Sequence, residues 1–291
     1  MQIPHKIAFL NGQFAPLAEL KISVMDRGFL FGDGVYEMIP VYQRVAFRLD
    51  EHLARLANNL AQVRIENPYS MSTWREHIQA LIHAQTFVDQ SIYLQVSRGP
   101  AYPRQHAFPL EAMPTVLMFA DELEPPPAQA VECGVSAITC NDVRWQRCNI
   151  KAISLLANVL AKQEAVDAGV AEAVFLRDGD LTEGAASNIF IVKDGVIYTP
   201  APSNLMLTGI TYDVILELAQ QHDLPVTLTP VTEQMLRDAD ELWLTSSSKE
   251  VLAIVNLDGQ AVGNGQVGPI YKIMYGLYQN FKMTVMHRGQ E

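Results

Sequence analysis

Apolar and polar residues alternate at the start of the chain, and this two-residue period predicts β-strands. In IAFLNGQF, residues 7 to 14, the alternation surrounds Asn11-Gly12, a pair that favours a tight hairpin turn. VYEMIPVYQRVAFRL, residues 35 to 49, predicts two further strands joined at Gln43-Arg44. The chain is therefore expected to begin with an antiparallel sheet.

The period changes to that of a helix in DEHLARLANNLAQVRI, residues 50 to 65, with Asp50 as the predicted N-cap. A second helix is predicted from Ser72, followed by the buried strands SIYLQVS and TVLMFA. The loop RGPAYPRQHAFPLEAMP separates these two strands. The apolar positions of the first helix are Leu53, Leu56, Leu60 and Val63.

A proline-rich segment marks the predicted domain boundary. ELEPPPAQA, residues 122 to 130, has three consecutive prolines and no apolar period, which is typical of a linker. We therefore predict a smaller N-terminal α/β domain over 1–121 and a C-terminal domain over 131–291. The length of 291 residues suits one large domain or two of ordinary size.

The second half of the chain mixes both periods. VSAITC predicts a strand, and ISLLANVLAKQEAVDAG predicts an amphipathic helix that ends at Gly169. Short strands with Asp-Gly turns follow, then a helix from about Gly209, further strands, and a last helix near VGPIYKIMYGLYQNF. Runs of strands with inserted helices indicate α+β or mixed α/β domains and not a doubly wound array. There is no internal repeat and no GxGxxG fingerprint.

Composition and charge exclude several classes of protein. The formal net charge is −11, with no basic stripe, which argues against a nucleic-acid or anionic-membrane partner. No apolar run has the length of a membrane span and no leader pattern opens the sequence, so we expect a cytoplasmic protein. The three cysteines have no CxxC spacing, which favours free thiols over a disulfide framework or a metal site.

Lys151 is the first candidate for chemistry. In VRWQRCNIKAISLL, residues 143 to 156, it lies between a basic segment and the apolar start of a predicted helix. A lysine held among apolar walls and other cations loses its proton readily, and its neutral amine then forms a Schiff base with a carbonyl. The alternative is an ordinary lysine whose ammonium lies in water.

Three other segments suit an anionic cofactor, although each has an ordinary explanation. Thr208-Gly209 opens a helix whose free amides favour phosphate, and the hydroxyl-rich turn in LWLTSSSKEV offers more donors. Arg55, on the first helix, is drawn either to an anion or to Glu51 one turn earlier. Glu183 lies in a turn of small residues, where its carboxylate either approaches a ring nitrogen or is solvated.

Together these segments resemble the fold type IV pyridoxal-phosphate enzymes, the family of branched-chain and D-amino acid aminotransferases, along nearly the whole chain. The resemblance implies two mixed α/β domains with the cofactor site between them. Six motifs carry it in order: DRGFLFGDGVYE at 26–37, EHLARL at 51–56, RWQRCNIK at 144–151, LTEGAASNIF at 181–190, LTGIT at 207–211 and TSSSKE at 245–250.

The resemblance also implies roles for individual residues. Lys151 binds pyridoxal 5'-phosphate covalently and moves a proton between Cα and the cofactor, and Glu183 hydrogen-bonds the pyridinium nitrogen. The implied phosphate ligands are Arg55, Ile210, Thr211 and Ser247.

The loop SRGPAYPRQHAFP is similar to that of the D-amino acid aminotransferases in particular. There Arg104 and His106, with Tyr36 of GDGVYE, are implied to hold the substrate carboxylate, and the loop is implied to reach the partner's site in a homodimer. Because the Cα–H bond must point at Lys151, exchanging the carboxylate and side-chain positions converts one enantiomer into the other. The place of the carboxylate therefore selects D or L.

The predicted function is transamination between D-amino acids of the D-alanine and D-glutamate type and 2-oxo acids such as pyruvate and 2-oxoglutarate. An L-branched-chain or (R)-amine transaminase remains an alternative, because it would keep Lys151 and Glu183 without needing the Arg104/His106 pair. An aminodeoxychorismate lyase on the same fold would eliminate pyruvate and form no amino acid from a 2-oxo acid. A protein that only binds a ligand would leave the lysine, the carboxylate and the anion sites unexplained.

Overall fold

The computed structural model describes residues 6–288, which divide into two compact units. The first unit extends to Glu124 and includes Ile150–Ser154. The second comprises Pro125–Asn149 and the described residues from Leu155 onward. None of the helices in this described range is long and apolar enough to cross a membrane.

The unit boundary differs from the predicted domains at one segment. We predicted a single domain over 131–291, whereas Ile150–Ser154 belongs to the first unit. The reason is local: Ile150 is buried in the core of the first unit, and Ala152 pairs with Val35. The linker over 122–130 stays a prediction; a strand continues to Glu122 and a helix begins at Ala128.

The first unit is built on a six-stranded antiparallel sheet. Its strands are β1 (Ile7–Leu10), β2 (Gln13–Pro16), β3 (Gly34–Tyr42), β4 (Val45–Ala46), β5 (Gln90–Ser97) and β6 (Thr115–Glu122). Their spatial order is β2-β1-β6-β5-β3-β4. Both predicted hairpins are confirmed: Asn11 and Gly12 have φ of 48° and 91°, and Gln43 and Arg44 have φ of 49° and 64°. Two successive residues with positive φ match the twist of adjacent strands.

The described part of this unit also contains a 3₁₀ helix at Leu17–Glu19 and three α-helices: α1 (Arg27–Phe31), α2 (Leu49–Gln62) and α3 (Met71–Ala84). The helical period of α2 is confirmed, since its leucines at 53, 56 and 60 are buried in the core. Asp50 as N-cap is wrong: Arg48, with φ of 52°, precedes the helix, and Asp50 instead pairs with Arg75 in α3. Helix α3 begins one residue before the predicted Ser72, because the Ser70 hydroxyl accepts from the Thr73 amide.

A mixed nine-stranded sheet forms the second unit. Its strands are β7 (Val135–Asn141), β8 (Glu172–Arg177), β9 (Asp180–Gly184), β10 (Asn188–Lys193), β11 (Val196–Thr199), β12 (Val226–Leu228), β13 (Glu241–Ser246), β14 (Glu250–Leu257) and β15 (Gln260–Ala261). Their order is β12-β11-β10-β13-β14-β7-β8-β9, with β15 paired to β14. Strand β7 runs parallel to β8 and β14, and β11 runs parallel to β12. The predicted α+β character is confirmed.

The helices of the second unit are α4 (Ala128–Cys133), α5 (Leu156–Asp167), α6 (Ile210–Gln221), α7 (Glu233–Arg237) and α8 (Pro269–Arg288). The helix expected from about Gly209 is confirmed, with Gly209 as its N-cap. The helix expected next to Lys151 begins only at Leu156, so Lys151 does not start a helix. The Ile153 amide donates to the Gly34 carbonyl at 3.1 Å, which keeps the preceding segment against β3.

Candidate active site

Lys151 lies beside the first residues of β3. The Tyr36 amide donates to the Lys151 carbonyl at 2.9 Å, which anchors the lysine backbone. The side chain is half-buried, and its Nζ lies 4.3 Å from the centre of the Tyr36 ring. Within residues 6–124 and 150–154, no hydrogen-bond acceptor or carboxylate is paired with Nζ. The amine is therefore packed on an aromatic ring and not neutralised by an acid of its own unit.

Arg55, a predicted phosphate ligand, forms a bidentate ion pair with Glu37. Its Nε donates to Oε1 at 2.8 Å and its Nη2 to Oε2 at 2.7 Å. The Glu37 side chain is completely buried, whereas that of Arg55 keeps 13 % of its surface exposed. Two parallel hydrogen bonds fix the plane of the guanidinium as well as its position. Glu37 therefore holds Arg55 in one orientation.

His52 completes this buried cluster, with its Nδ1 2.8 Å from Glu37 Oε2. Burial raises the pKa of Glu37, but the charge and hydrogen bonds of Arg55, with the His52 hydrogen bond, lower it to about 2. Burial lowers the pKa of His52, against the opposing effect of Glu37, and the cations Arg55 and Lys151 lower it further. The imidazole is thus neutral at pH 7, with its Nδ1–H donating to the carboxylate.

The loop residues Arg104 and His106 are both exposed. The Arg104 guanidinium lies 4.5 Å from the centre of the Phe31 ring, and the His106 ring meets the same phenyl edge-on at 5.4 Å. Phe31 thus brings the two predicted carboxylate ligands together. Neither side chain has a hydrogen-bond, ion-pair or ring contact with Tyr36 or Lys151 in the described chain.

In the second unit, Glu183 is buried at the end of β9. Arg144 Nη1 donates to its Oε1, and the Leu207 amide donates to its Oε2 at 3.0 Å. Arg144 also binds Asp142, with Nη2 donating to Oδ2 at 2.8 Å. Burial lowers the pKa of Arg144, but Asp142 and Glu183 raise it overall, so the guanidinium stays charged. The Glu183 carboxylate is therefore oriented by donors on both oxygens.

Ile210 and Thr211 are the first two residues of α6 and are buried. The first amides of a helix have no carbonyl partner within it, and they carry the positive end of the helix dipole. Asn188 supports the approach to this helix: its Oδ1 accepts from the Gly209 amide at 3.1 Å, and its Nδ2 donates to the Leu207 carbonyl at 2.8 Å. A Cβ at Gly209 would lie 2.6 Å from Asn188 Oδ1, so a side chain there would displace the Asn188 amide.

Ser247 lies half-buried in the turn between β13 and β14. In the same turn, Lys249 Nζ lies 3.1 Å from Oε2 of Glu172, a completely buried carboxylate. The Ser187 hydroxyl bonds the same oxygen at 2.9 Å. Glu172 therefore ties the turn that carries Ser247 to the turn that follows Glu183.

The predicted site residues fall into two groups, one in each unit: Lys151, Tyr36, Arg55, Arg104 and His106 in the first, and Glu183, Ile210, Thr211 and Ser247 in the second.

Sequence reasoning missed three of their partners, Glu37, His52 and Arg144. Glu37 was detectable as the one acid inside the apolar run VYEMIPV, and His52 as a polar residue three positions before Arg55 on one helix face. Arg144 carried no signal beyond its presence in RWQRCNIK, because its partner Glu183 is 39 residues away in sequence.

Relatives with known names match nearly the whole chain. A D-alanine aminotransferase from Bacillus licheniformis is 39% identical over 275 residues, covering 94% of this chain and 96% of the relative. One from Staphylococcus epidermidis is 40% identical over 262 residues, covering 90% and 93%.

Solved structures share the fold at lower identity. The branched-chain amino acid aminotransferase of Escherichia coli superposes with a TM-score of 0.87 at 26% identity, covering 94% of this chain and 95% of that one. The T.th. branched-chain amino acid aminotransferase with pyridoxamine 5'-phosphate also has a TM-score of 0.87, at 27% identity, covering 96% and 94%. The family model "Amino-transferase class IV" matches residues 34–257. The chain thus belongs to the class IV aminotransferases, with the fold type IV architecture.

Proposed function

We propose that this class IV aminotransferase exchanges the amino group between D-amino acids, of the D-alanine and D-glutamate type, and 2-oxo acids such as pyruvate and 2-oxoglutarate. The observation that carries the proposal is the Lys151 amine, 4.3 Å from the Tyr36 ring and without an acidic partner in its own unit. The D-alanine aminotransferase relatives, at 39% and 40% identity, support the handedness.

Aminotransferases of this class use pyridoxal 5'-phosphate, and the residues present fit that group. Lys151 provides an amine with no carboxylate neighbour in its unit, and α6 begins without a side-chain cap, behind a glycine whose Cβ would meet Asn188 Oδ1. We propose that Ile210, Thr211, Ser247 and Arg55 bind the phosphate. Pyridoxal phosphate supplies an electron sink that makes the Cα proton of an amino acid removable.

The proposed residues have different tasks. Lys151 Nζ would bind the cofactor covalently; once the substrate amine has displaced it, Nζ would accept the Cα proton and deliver it to the cofactor carbon. Glu183 accepts a hydrogen bond from the ring nitrogen, and Arg144 and the Leu207 amide support its orientation. Glu37 holds the Arg55 guanidinium, and His52 in turn hydrogen-bonds Glu37.

The carboxylate of the substrate is assigned to Arg104, His106 and Tyr36. A guanidinium and an imidazole two residues apart, both directed at Phe31, provide clustered donors for an anion. They have no contact with Tyr36 or Lys151 in the described chain, which suits a loop that serves a second copy. The same loop has exposed apolar side chains, with Tyr102 87% and Met113 82% accessible, which supports a homodimer.

The test is a visible spectrum of the purified holoenzyme before and after addition of D-alanine or L-alanine, together with pyruvate formation when 2-oxoglutarate is the acceptor. We expect D-alanine, and not L-alanine, to remove the absorption of the lysine-bound cofactor. A response to L-alanine would favour the branched-chain alternative. Elimination of pyruvate from aminodeoxychorismate would favour the lyase, and no visible band at all would favour a binding protein.

A cytoplasmic location stays a prediction from the sequence.

A further inference from the structure

Arg27 lies in the first turn of α1 and is almost fully buried, at 5% exposure. Its guanidinium is directed at the backbone of the loop that carries Arg104 and His106. Nη1 donates to the Gln105 carbonyl at 2.7 Å and to the Ala107 carbonyl at 3.3 Å, and Nη2 donates to the His106 carbonyl at 3.1 Å. One side chain thus binds three consecutive carbonyls of the loop.

Asp33 fixes this guanidinium from the other side. Its Oδ2 accepts from Arg27 Nε at 2.7 Å and from Arg98 Nε at 2.8 Å, while its Oδ1 accepts from Arg98 Nη2 at 2.9 Å. One carboxylate therefore bridges two buried cations, which is stable because each oxygen has a charged donor. The hydrogen bond to Asp33 therefore sets the orientation of the Arg27 guanidinium.

Arg98 connects the same network to the end of α2 and to Phe108. It donates to the Val63 and Arg64 carbonyls at 2.8 Å each, after the last turn of α2. Its guanidinium also lies 3.7 Å from the centre of the Phe108 ring, two residues beyond His106. The loop is therefore held at 105–107 by hydrogen bonds and at 108 by stacking.

From this arrangement we infer that Arg27, held by Asp33, is a positioning residue for substrate recognition: it sets the backbone of residues 105–107 and thereby the places of Arg104 and His106. The inference rests on the proposed function, in which those two residues bind the substrate carboxylate. An arginine is required because an ammonium group cannot reach an acid and three carbonyls in one plane.

The test compares Arg27→Lys and Arg27→Gln with Arg64→Gln in the full-length holoenzyme. Arg64 is the matched control, because its guanidinium lies 5.3 Å from the same Phe108 ring and no loop carbonyl accepts a hydrogen bond from it in the described chain. Hydrogen exchange of the amides of 104–108 is measured first, against the amides of β3 as an internal reference. We expect exchange in the loop to accelerate about ten-fold in both Arg27 variants, with β3 unchanged. Exchange in Arg64→Gln should stay close to the wild type, because Arg98 still stacks on Phe108 at the shorter distance of 3.7 Å.

Kinetics supply the second measurement. In the Arg27 variants, KM for D-alanine should rise on the order of ten-fold, kcat should change much less, and turnover of a carboxylate-free amine should be retained. Arg27→Lys keeps the charge, so a defect shared with Arg27→Gln assigns the effect to geometry. If Arg27→Gln does not fold, Arg27→Lys alone carries the comparison.

Two failures are distinguishable. If Arg104→Ala leaves KM for D-alanine unchanged, the proposed carboxylate site is wrong, and the positioning role falls with it. If Arg104→Ala raises KM while the Arg27 variants leave both loop exchange and KM at wild-type values, the proposed function stands and the inference about Arg27 is overturned.

Discussion

Glu37 accepts hydrogen bonds from Arg55 on both carboxylate oxygens, at 2.8 and 2.7 Å, with no part of the Glu37 side chain exposed. Removing a partner from a buried ion pair leaves an uncompensated charge, which is costly. The pair therefore links the placement of a proposed phosphate ligand to the acid stability of the first unit.

The protein should lose stability in acid as Glu37 takes up a proton. The pKa of Glu37 is lowered from 4.5 to about 2, so the folded state binds this proton less tightly than the unfolded state. The stabilisation, on the order of 3 kcal/mol, is present above pH 4.5 and is lost as the pH falls toward 2. The free energy of unfolding is measured in urea at pH 7, 4.5 and 3. At pH 7 it should be lower for Glu37→Gln than for the wild type, and it should decrease less as the pH falls.

The matched control for this prediction is Glu51→Gln. Glu51 pairs with Arg48 at the surface, where its side chain is 44% exposed, so its removal should leave the pH profile of the wild type almost unchanged. If the free energy of unfolding decreased equally with falling pH in the wild type and in Glu37→Gln, the lowered pKa of Glu37 would be contradicted.

Lys151→Ala should abolish transamination, with a loss of at least about 10³-fold in kcat, because one substitution removes both the attachment point and the proton carrier. Borohydride reduction of the wild type followed by peptide mapping should place the label on Lys151. Lys272→Ala, on an exposed position of α8, serves as the control and should keep full activity. Label on any other lysine would refute the assignment.

Glu183→Lys should reduce turnover by about 10²-fold or more, because a cation there opposes protonation of the ring nitrogen and also faces Arg144. Glu183→Gln preserves the shape and separates the electronic effect from a folding defect, which is checked by thermal unfolding. Glu233→Gln removes a carboxylate charge from an exposed ion pair on α7 and should leave turnover unchanged. Wild-type rates for both Glu183 variants would exclude the proposed role.

Arg104→Ala should lower kcat/KM for D-alanine by roughly ten- to a hundred-fold, equivalent to about 1.5–3 kcal/mol, because a charge-assisted contact to the carboxylate is lost. A carboxylate-free amine never uses that contact and should be affected far less. Arg75→Ala, at an exposed ion pair with Asp50, controls for the loss of a surface cation. Equal losses for both substrates would indicate a structural defect and not a substrate contact.

Local patterns were sufficient for much of the fold. The hairpin at Asn11-Gly12 and the helix after Gly209 follow from neighbouring residues alone, because turn conformation and helix period are short-range properties. The family motifs likewise named Lys151 and Glu183 without reference to any contact. Where a local rule failed, a distant partner was responsible: the lysine segment is held by β3, which lies far earlier in the chain, and does not begin a helix.

The tertiary structure decided which charges face one another. Glu37 and Arg55, Arg144 and Glu183, and Arg27 and the 105–107 carbonyls are separated by 18 to 80 residues, and no periodicity in the sequence relates them. Such pairs form only when strands and helices pack, because burial makes an unpaired charge costly and favours arrangements in which each buried charge has a partner. The resemblance of six ordered motifs to a known family thus indicated the chemistry of this chain, and packing determined the orientation of the groups that would perform it.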